Sequence, residues 1–240
     1  VDADNRWFLG YTYRPEIPAG QLRNRSTLDG EYGADQGVIV PRDLRVEVVP
    51  VYLTIIDESS TIGFTADDPA ARARRLLEAN TSRLLAHELW TGELADLDGS
   101  PNPRLASEDT VVLSGSLTPQ KAVAALVQAM SDAGMGDTMV HTNHYVGIQL
   151  PDAWRNDETL ADKGFCVVAD AGYPGTGPTG QTGNWMYATE IVNVRLGEVE
   201  LIPGQFRDSV DPASNSITYR AQRVGAADFA GPVFAVQVSA

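Results

Sequence analysis

Residues 67–92 read DDPAARARRLLEANTSRLLAHELWTG, and this stretch decides what kind of fold the chain can adopt. Asp67 or Asp68 can accept a hydrogen bond from the free amides that open a helix, and Pro69 suits the first helical position, where a missing N–H costs nothing. Gly92 can supply the left-handed residue that stops it. Between these marks Ala73, Leu77, Asn80, Leu84 and Trp90 drift around one side, and Leu76, Leu85 and Leu89 widen the apolar stripe. The spacing predicts one unbroken helix of about 33 Å at 1.5 Å per residue. Arg72, Arg74, Arg75 and Arg83 fall largely off the stripe. They form either a solvated face or a cluster able to meet acidic groups on a neighbouring chain.

Outward from that helix, the composition limits the possibilities. The chain has 240 residues, 43% hydrophobic and 21% charged, enough to bury a substantial core as one large domain or two smaller ones. No apolar run approaches the ~18 residues of a membrane span, so a soluble protein with no membrane partner is expected. Nothing at the N-terminus joins a basic segment to an apolar one as a signal peptide does. The formal charge is −14, and of the 18 cationic residues only Lys121 and Lys163 are lysines. So acidic a surface repels phosphates, which disfavours a protein that grips nucleic acid through its backbone. The single cysteine, Cys166, rules out an intrachain disulfide and lies in the apolar run FCVV, where a thiol acts as a small hydrophobe.

Residues 1–44 are rich in turn formers and charges, with large apolar residues in short groups such as Trp7, Phe8 and Leu9. A stretch of that kind cannot bury itself well alone. Residues 45–56, RVEVVPVYLTII, are β-branched and predict a strand with Pro50 at an edge or bulge. Beyond the long helix a loop, GELADLDGSPNPR, leads to the strand-like TVVLSGS. A second helix is then capped by Thr118, begun by Pro119 and lined by Ala122, Val123, Leu126, Val127 and Met130 before Gly134. Residues 138–150 predict a strand and turn, and residues 165–170 a buried strand. WMYATEIVNVRLGEVELIP, NSITYRAQRV and PVFAVQVS alternate as strands do. The chain reads as mixed α and β with a strand-rich final third.

Short motifs carry little chemistry. GTGPTG at 175–180 has the G-x-G-x-x-G spacing of a phosphate-binding turn, which works because its last glycine opens a helix with free amides aimed at the anion. Here Pro178 has no amide hydrogen, further glycines follow, and the next regular segment reads as strand. Glu198 or Glu200 fits the spacing of a ribose-binding carboxylate, but carboxylates are common in this chain, and no P-loop lysine follows. A mobile surface loop is the better expectation. His141 and His144 form H-x-x-H near Asp137, a spacing that converges on a metal only if the segment is helical, whereas its β-branched neighbours predict strand. His87-Glu88 lacks the second histidine of a metalloprotease helix, and LSGSL at 113–117 lacks the nucleophile-elbow pattern. Acidic pairs such as Asp57-Glu58, Asp67-Asp68 and Asp157-Glu158 give no sign of facing one another. No catalytic, cofactor-binding or metal-binding set is expected.

The order of segments says more than any motif. A polar arm, a strand-rich stretch, a long helix ending in HELWTGELADLDGSPNP, and an α/β region closing with ITYRAQRVGAADFAGPVFAV together resemble the major capsid proteins of tailed bacteriophages with the Hong Kong 97-type fold. The resemblance spans nearly the whole chain. It rests on Glu88, Trp90, Gly92, Gly99 and Pro101 at the end of the long helix, and on Arg220, Arg223, Pro232 and Phe234 near the C-terminus. The stretch GYPGTGPTGQTGNWMYATEIVNVRLGEVELIP looks like a lineage of such proteins from phages of actinobacteria.

The resemblance implies an α+β fold with an N-arm at 1–28, an extended E-loop region at 29–62, a P-domain with its spine helix at 63–114 and an A-domain at 115–190. Strands in 191–240 would return to the P-domain or complete the A-domain sheet. It implies a homo-oligomeric shell of pentamers and hexamers enclosing double-stranded DNA without sequence-specific binding, together with scaffolding, portal or decoration partners. Such a protein is made in the bacterial cytoplasm and resides in the virion. Trp7, Phe8, Arg72, Arg74, Arg75 and Arg83 are the candidate subunit-interface residues. Some relatives join subunits through an E-loop lysine, but here both lysines lie beyond residue 120. An encapsulin-like compartment shell is the alternative within the fold, and a soluble nucleotide-binding enzyme the alternative outside it.

Overall fold

The computed structural model describes residues 11–13, 46–60, 68–97, 99, 102–154 and 164–239. Trp7 and Phe8 lie outside the described residues, as do Asp67, Pro101 and Lys163. In chain order the elements are β1 (Tyr11–Tyr13), β2 (Val46–Val48), β3 (Val51–Ser60), α1 (Pro69–Thr91), α2 (Glu93–Leu97), β4 (Val111–Leu117), α3 (Pro119–Asp132), β5 (Thr138–Asn143) and α4 (His144–Gly147). They continue with β6 (Phe165–Asp170), β7 (Asn184–Thr189), β8 (Asn193–Leu196), β9 (Glu200–Ile202), α5 (Phe206–Ser209), β10 (Val210–Asp211), β11 (Ser216–Asp228) and β12 (Phe234–Val238).

The long helix forms as its sequence predicts. The Asp68 carboxylate accepts from the Ala70 amide at 3.0 Å, Pro69 starts the first turn, and Gly92 ends the helix at φ 68° while its amide bonds back to the Glu88 carbonyl at 2.7 Å. Only glycine tolerates that conformation here, because a Cβ on Gly92 would also stand 2.6 Å from the Arg104 side chain. The apolar stripe is Ala73, Leu77, Leu85, Ala86, Leu89 and Trp90, with Thr81 turned inward because its hydroxyl donates to the Leu77 carbonyl. Leu76, expected to widen the stripe, is exposed, and Asn80 donates to the Leu76 carbonyl at the margin.

Two five-stranded sheets share this helix. In the first, β11 pairs antiparallel with β3 along one edge and with the short β8, β9 and β10 along the other. Val51, Leu53, Ile217, Tyr219 and Ala221 alternate onto the face that packs on Ala73 and Leu77. The opposite face is uncovered, leaving Tyr52 63% and Ile56 67% exposed among the described residues. Residues 51–60 are thus a strand rooted on β11, in keeping with the β-branched run at 45–56. Pro50 falls in the break between β2 and β3, where no ladder amide is needed. Beside it the Asn102 side chain imitates a strand partner, accepting from the Val49 amide at 2.7 Å and donating to the Val49 carbonyl at 2.6 Å.

The second sheet has the order β4-β12-β7-β5-β6, with parallel pairs at both edges and antiparallel pairs within. Its strands alternate between two cores. Met186, Ala188, Val236 and Val238 meet Ala122, Val123, Leu126 and Met130 of α3 on one face, while Trp185, Tyr187 and Ala235 meet the end of α1 on the other. Thr118 precedes α3 as expected but makes no side-chain cap bond. After β5 the chain turns through the short α4, capped by Asn143, which accepts from the Val146 amide at 2.9 Å. Residues 165–170 form an edge strand in which Val167 alone is fully buried, so the expectation of a buried strand holds only in part.

Candidate functional site

The end of α1 is tied closely to its surroundings. Glu88 is buried, and its two carboxylate oxygens accept from the Leu94 and Ala95 amides at 2.9 Å each, satisfying the free N–H groups that open α2. Trp90 is fully buried, with ring centroids 5.1 Å from Tyr173 and 4.7 Å from Tyr187. Its indole N–H donates to the Thr176 carbonyl at 3.1 Å, and the Tyr187 hydroxyl donates to the same oxygen at 3.0 Å. Replacing Glu88 with Gln keeps the shape but turns one acceptor into a donor facing an amide. We expect a loss of about 1–3 kcal/mol, typical of a buried polar group left unpaired, to be read from urea unfolding. A change within a few tenths of that unit would contradict the capping role.

Only the second part of the glycine-rich run, residues 179–183, lies at the surface as expected; the first part is packed inside. Gly172, Tyr173, Gly175, Gly177 and Pro178 are buried between α1 and the second sheet. Gly172 lies so close to α1 that a Cβ there would run into the Arg83 carbonyl, and Gly177 rests against the Trp185 ring. The Trp185 amide donates to the Gly175 carbonyl at 3.0 Å, and a single 3-10 turn at Pro178–Gly180 precedes β7. The correction has a simple cause: glycine permits close approach as readily as motion, and the partners lie elsewhere in sequence.

His141 and His144 do not converge. His141 is buried on β5 between Tyr173 and Thr189, whereas His144 starts α4. The Thr189 hydroxyl donates to the Glu190 carbonyl at 2.7 Å, so at 2.8 Å it accepts from Nε2–H of His141. Nδ1 then accepts from the Tyr173 hydroxyl at 2.9 Å, which fixes a neutral imidazole. Burial lowers the His141 pKa to about 3 and raises that of Tyr173. Burial, with Asp137 nearby, pushes the Cys166 thiol up to about 11, the reverse of an activated nucleophile. Among the described residues no group of three potential metal ligands comes together.

Of the candidate interface arginines, Arg72 turns inward: its guanidinium spans both Asp57 oxygens at 2.9 Å and donates to Ser59 at 2.6 Å, tying α1 to β3. Arg74, Arg75 and Arg83 are exposed on α1. The surface feature that sequence reasoning missed is a groove of about 470 Å³ between α1 and the two sheets. Leu85, Leu89, Met139, Val168, Val194 and Leu196 form its walls, and Glu78, Ser82 and Asp170 stand among its polar lining. Five separate stretches of chain build it, so no local pattern announces it.

No protein-family model matches the chain, and no curated protein matches it in sequence. Solved structures do. The capsid of an empty GTA particle, at 12% identity, covers all of this chain and 86% of its own with a TM-score of 0.55. A chain of Gordonia phage Cozz, at 9% identity, covers 97% of this chain and 81% of its own with a TM-score of 0.52. A chain of Mycobacterium phage Ogopogo, at 13% identity, covers 96% and 86% with a TM-score of 0.51. At such identities the likeness establishes the fold alone: an α+β fold shared with the capsid of the GTA particle and with these phage chains.

Proposed function

We propose that this chain is the major capsid protein of a tailed bacteriophage of the Hong Kong 97 type, assembling into the pentamers and hexamers of an icosahedral head around double-stranded DNA. The observation that carries the reading is the match over the whole chain to the capsid of a GTA particle. Residues 1–44 support it, being too polar to bury themselves and suited to ordering against sister copies, where burial on assembly offsets lost chain entropy. A net charge of −14 keeps the shell from adhering to the DNA it encloses.

In this reading residues 1–28 are the arm, and 29–62 an extended loop whose closing strand, β3, is rooted beneath the spine helix α1. The P-domain with its spine helix is taken as 63–114, and β4, which pairs with β12, leads from it into the second sheet. That sheet with α3 is the A-domain, to which β12 returns, while β8 to β11 return to the P-domain. The chain has a structural role, not a catalytic one, and its locale is the virion after synthesis in the host cytoplasm.

Sedimentation velocity on the purified chain tests the proposal. Species far heavier than the 25.8-kDa protomer are expected, and a single slow boundary at every concentration would contradict it. Nucleic acid inside particles from infected cells supports a head, whereas a packed enzyme would favour a compartment shell. Denaturing electrophoresis of the particles is expected to give one band, since the only lysines are Lys121 and Lys163. A ladder resistant to reductant would show subunits joined covalently.

A further inference from the structure

We infer that His87 is a proton-operated clasp at the end of α1: the charged ring holds both the glycine-rich run and α2, and the neutral ring can hold only one of them. Nδ1 of His87 lies 3.3 Å from the Gly172 carbonyl oxygen, and Nε2 lies 3.3 Å from a carboxylate oxygen of Glu93. A carbonyl and an ionised carboxylate only accept, whereas a neutral imidazole carries one N–H and one lone pair. In either neutral tautomer one ring nitrogen therefore turns its lone pair toward an oxygen. The imidazolium donates on both sides and adds a charge opposite to that of Glu93.

The surroundings suit that role. The side chains of His87 and Glu93 are 44% and 68% exposed, so protons exchange freely with the ring. Both contacts lie at the long end of the hydrogen-bond range, loose enough for a change of charge to shift them. The neighbouring ionisable groups are engaged elsewhere: the Glu88 oxygens with the Leu94 and Ala95 amides, the Asp170 oxygens with the Gly172 amide and the Ser82 hydroxyl, Asp96 with Arg104, and the Tyr173 hydroxyl with His141. Arg83, one turn back on α1, is exposed, and its like charge is screened by solvent. The segment held in this way carries Leu94 and Leu97 exposed, so the proton governs how firmly an apolar surface is presented. The sign is the reverse of that at buried His141: protonation completes the clasp, so its contribution is present at low pH and lost as pH rises.

Hydrogen exchange of the full chain tests the clasp, with protection factors of the amides in residues 93–97 compared at about pH 5.5 and about pH 8, on either side of the range where histidine titrates. The ratio of protection at the lower pH to that at the higher is expected to be about two- to fivefold greater in the parent than in His87→Gln, the scale of an exposed ion pair. Glu93→Gln keeps an acceptor and removes the charge, so its ratio should fall between the two. All three chains retain Glu88 and His141, so any response of those groups cancels in the comparison. Equal ratios in the parent and His87→Gln would overturn the inference, as would a greater ratio in the variant.

Discussion

Trp90→Ala is expected to destabilise the folded chain by about 3–5 kcal/mol, the usual cost of emptying a large aromatic site in a packed core. The indole is the largest fully buried side chain among the described residues, and it sits where α1, the glycine-rich run and the second sheet meet. Its removal opens a cavity between Tyr173 and Tyr187 and deprives the Thr176 carbonyl of one of its two donors. Trp90→Phe keeps most of the ring and loses the hydrogen bond and part of the volume, so a smaller loss of about 1–2 kcal/mol is expected. Urea unfolding measures both. Limited proteolysis should find new cleavage in 172–183 in the alanine variant, because that run would have lost its anchor. A loss under about 1 kcal/mol would show that the site collapses without cost and that Trp90 does not organise the junction.

The second large effect is with pH. His141 titrates near 3 when folded, against 6.5 in the open chain, because burial disfavours the imidazolium. Below pH 6.5 the unfolded chain takes up a proton that the folded chain refuses, so stability present above pH 6.5 is lost as pH falls toward 3. Linkage puts the loss at about 2 kcal/mol by pH 5 and about 4 kcal/mol by pH 3, as an order of magnitude. Glu190 acts in the opposite direction, since burial and Asp137 hold its carboxyl above the ordinary range. The variant His141→Gln cannot titrate there, so comparing its slope between pH 7 and pH 5 with that of the parent isolates the imidazole. Parallel slopes would refute the assignment.

Much of the framework is legible in sequence because it is local. Asp68, Pro69 and Gly92 bracket α1 by rules that act within a few residues, and the β-branched run at 45–56 predicts strand before any partner is known. What escapes is what depends on distant partners. The glycine-rich run reads as loose by composition, yet its burial is decided by Trp90 and Trp185, and Gly172 meets a helix carbonyl contributed by Arg83. Glu88 looks like one more solvated acid until α2 folds back onto it. His141 looks available to a metal until Tyr173 and Thr189, 32 and 48 residues away, close around it. Arg72 reads as a free cation on a helix face, and only the strand register brings Asp57 and Ser59 to meet it. The order of segments pointed to the capsid fold, while the groove needed the tertiary structure to be seen at all.

Electron microscopy of the expressed chain, alone and with the products of neighbouring genes, tests the account most directly. The account predicts closed icosahedral shells built of five- and six-fold rings, with the spine helix lying within each protomer. A uniform population of small, discrete molecules under every one of these conditions would contradict it.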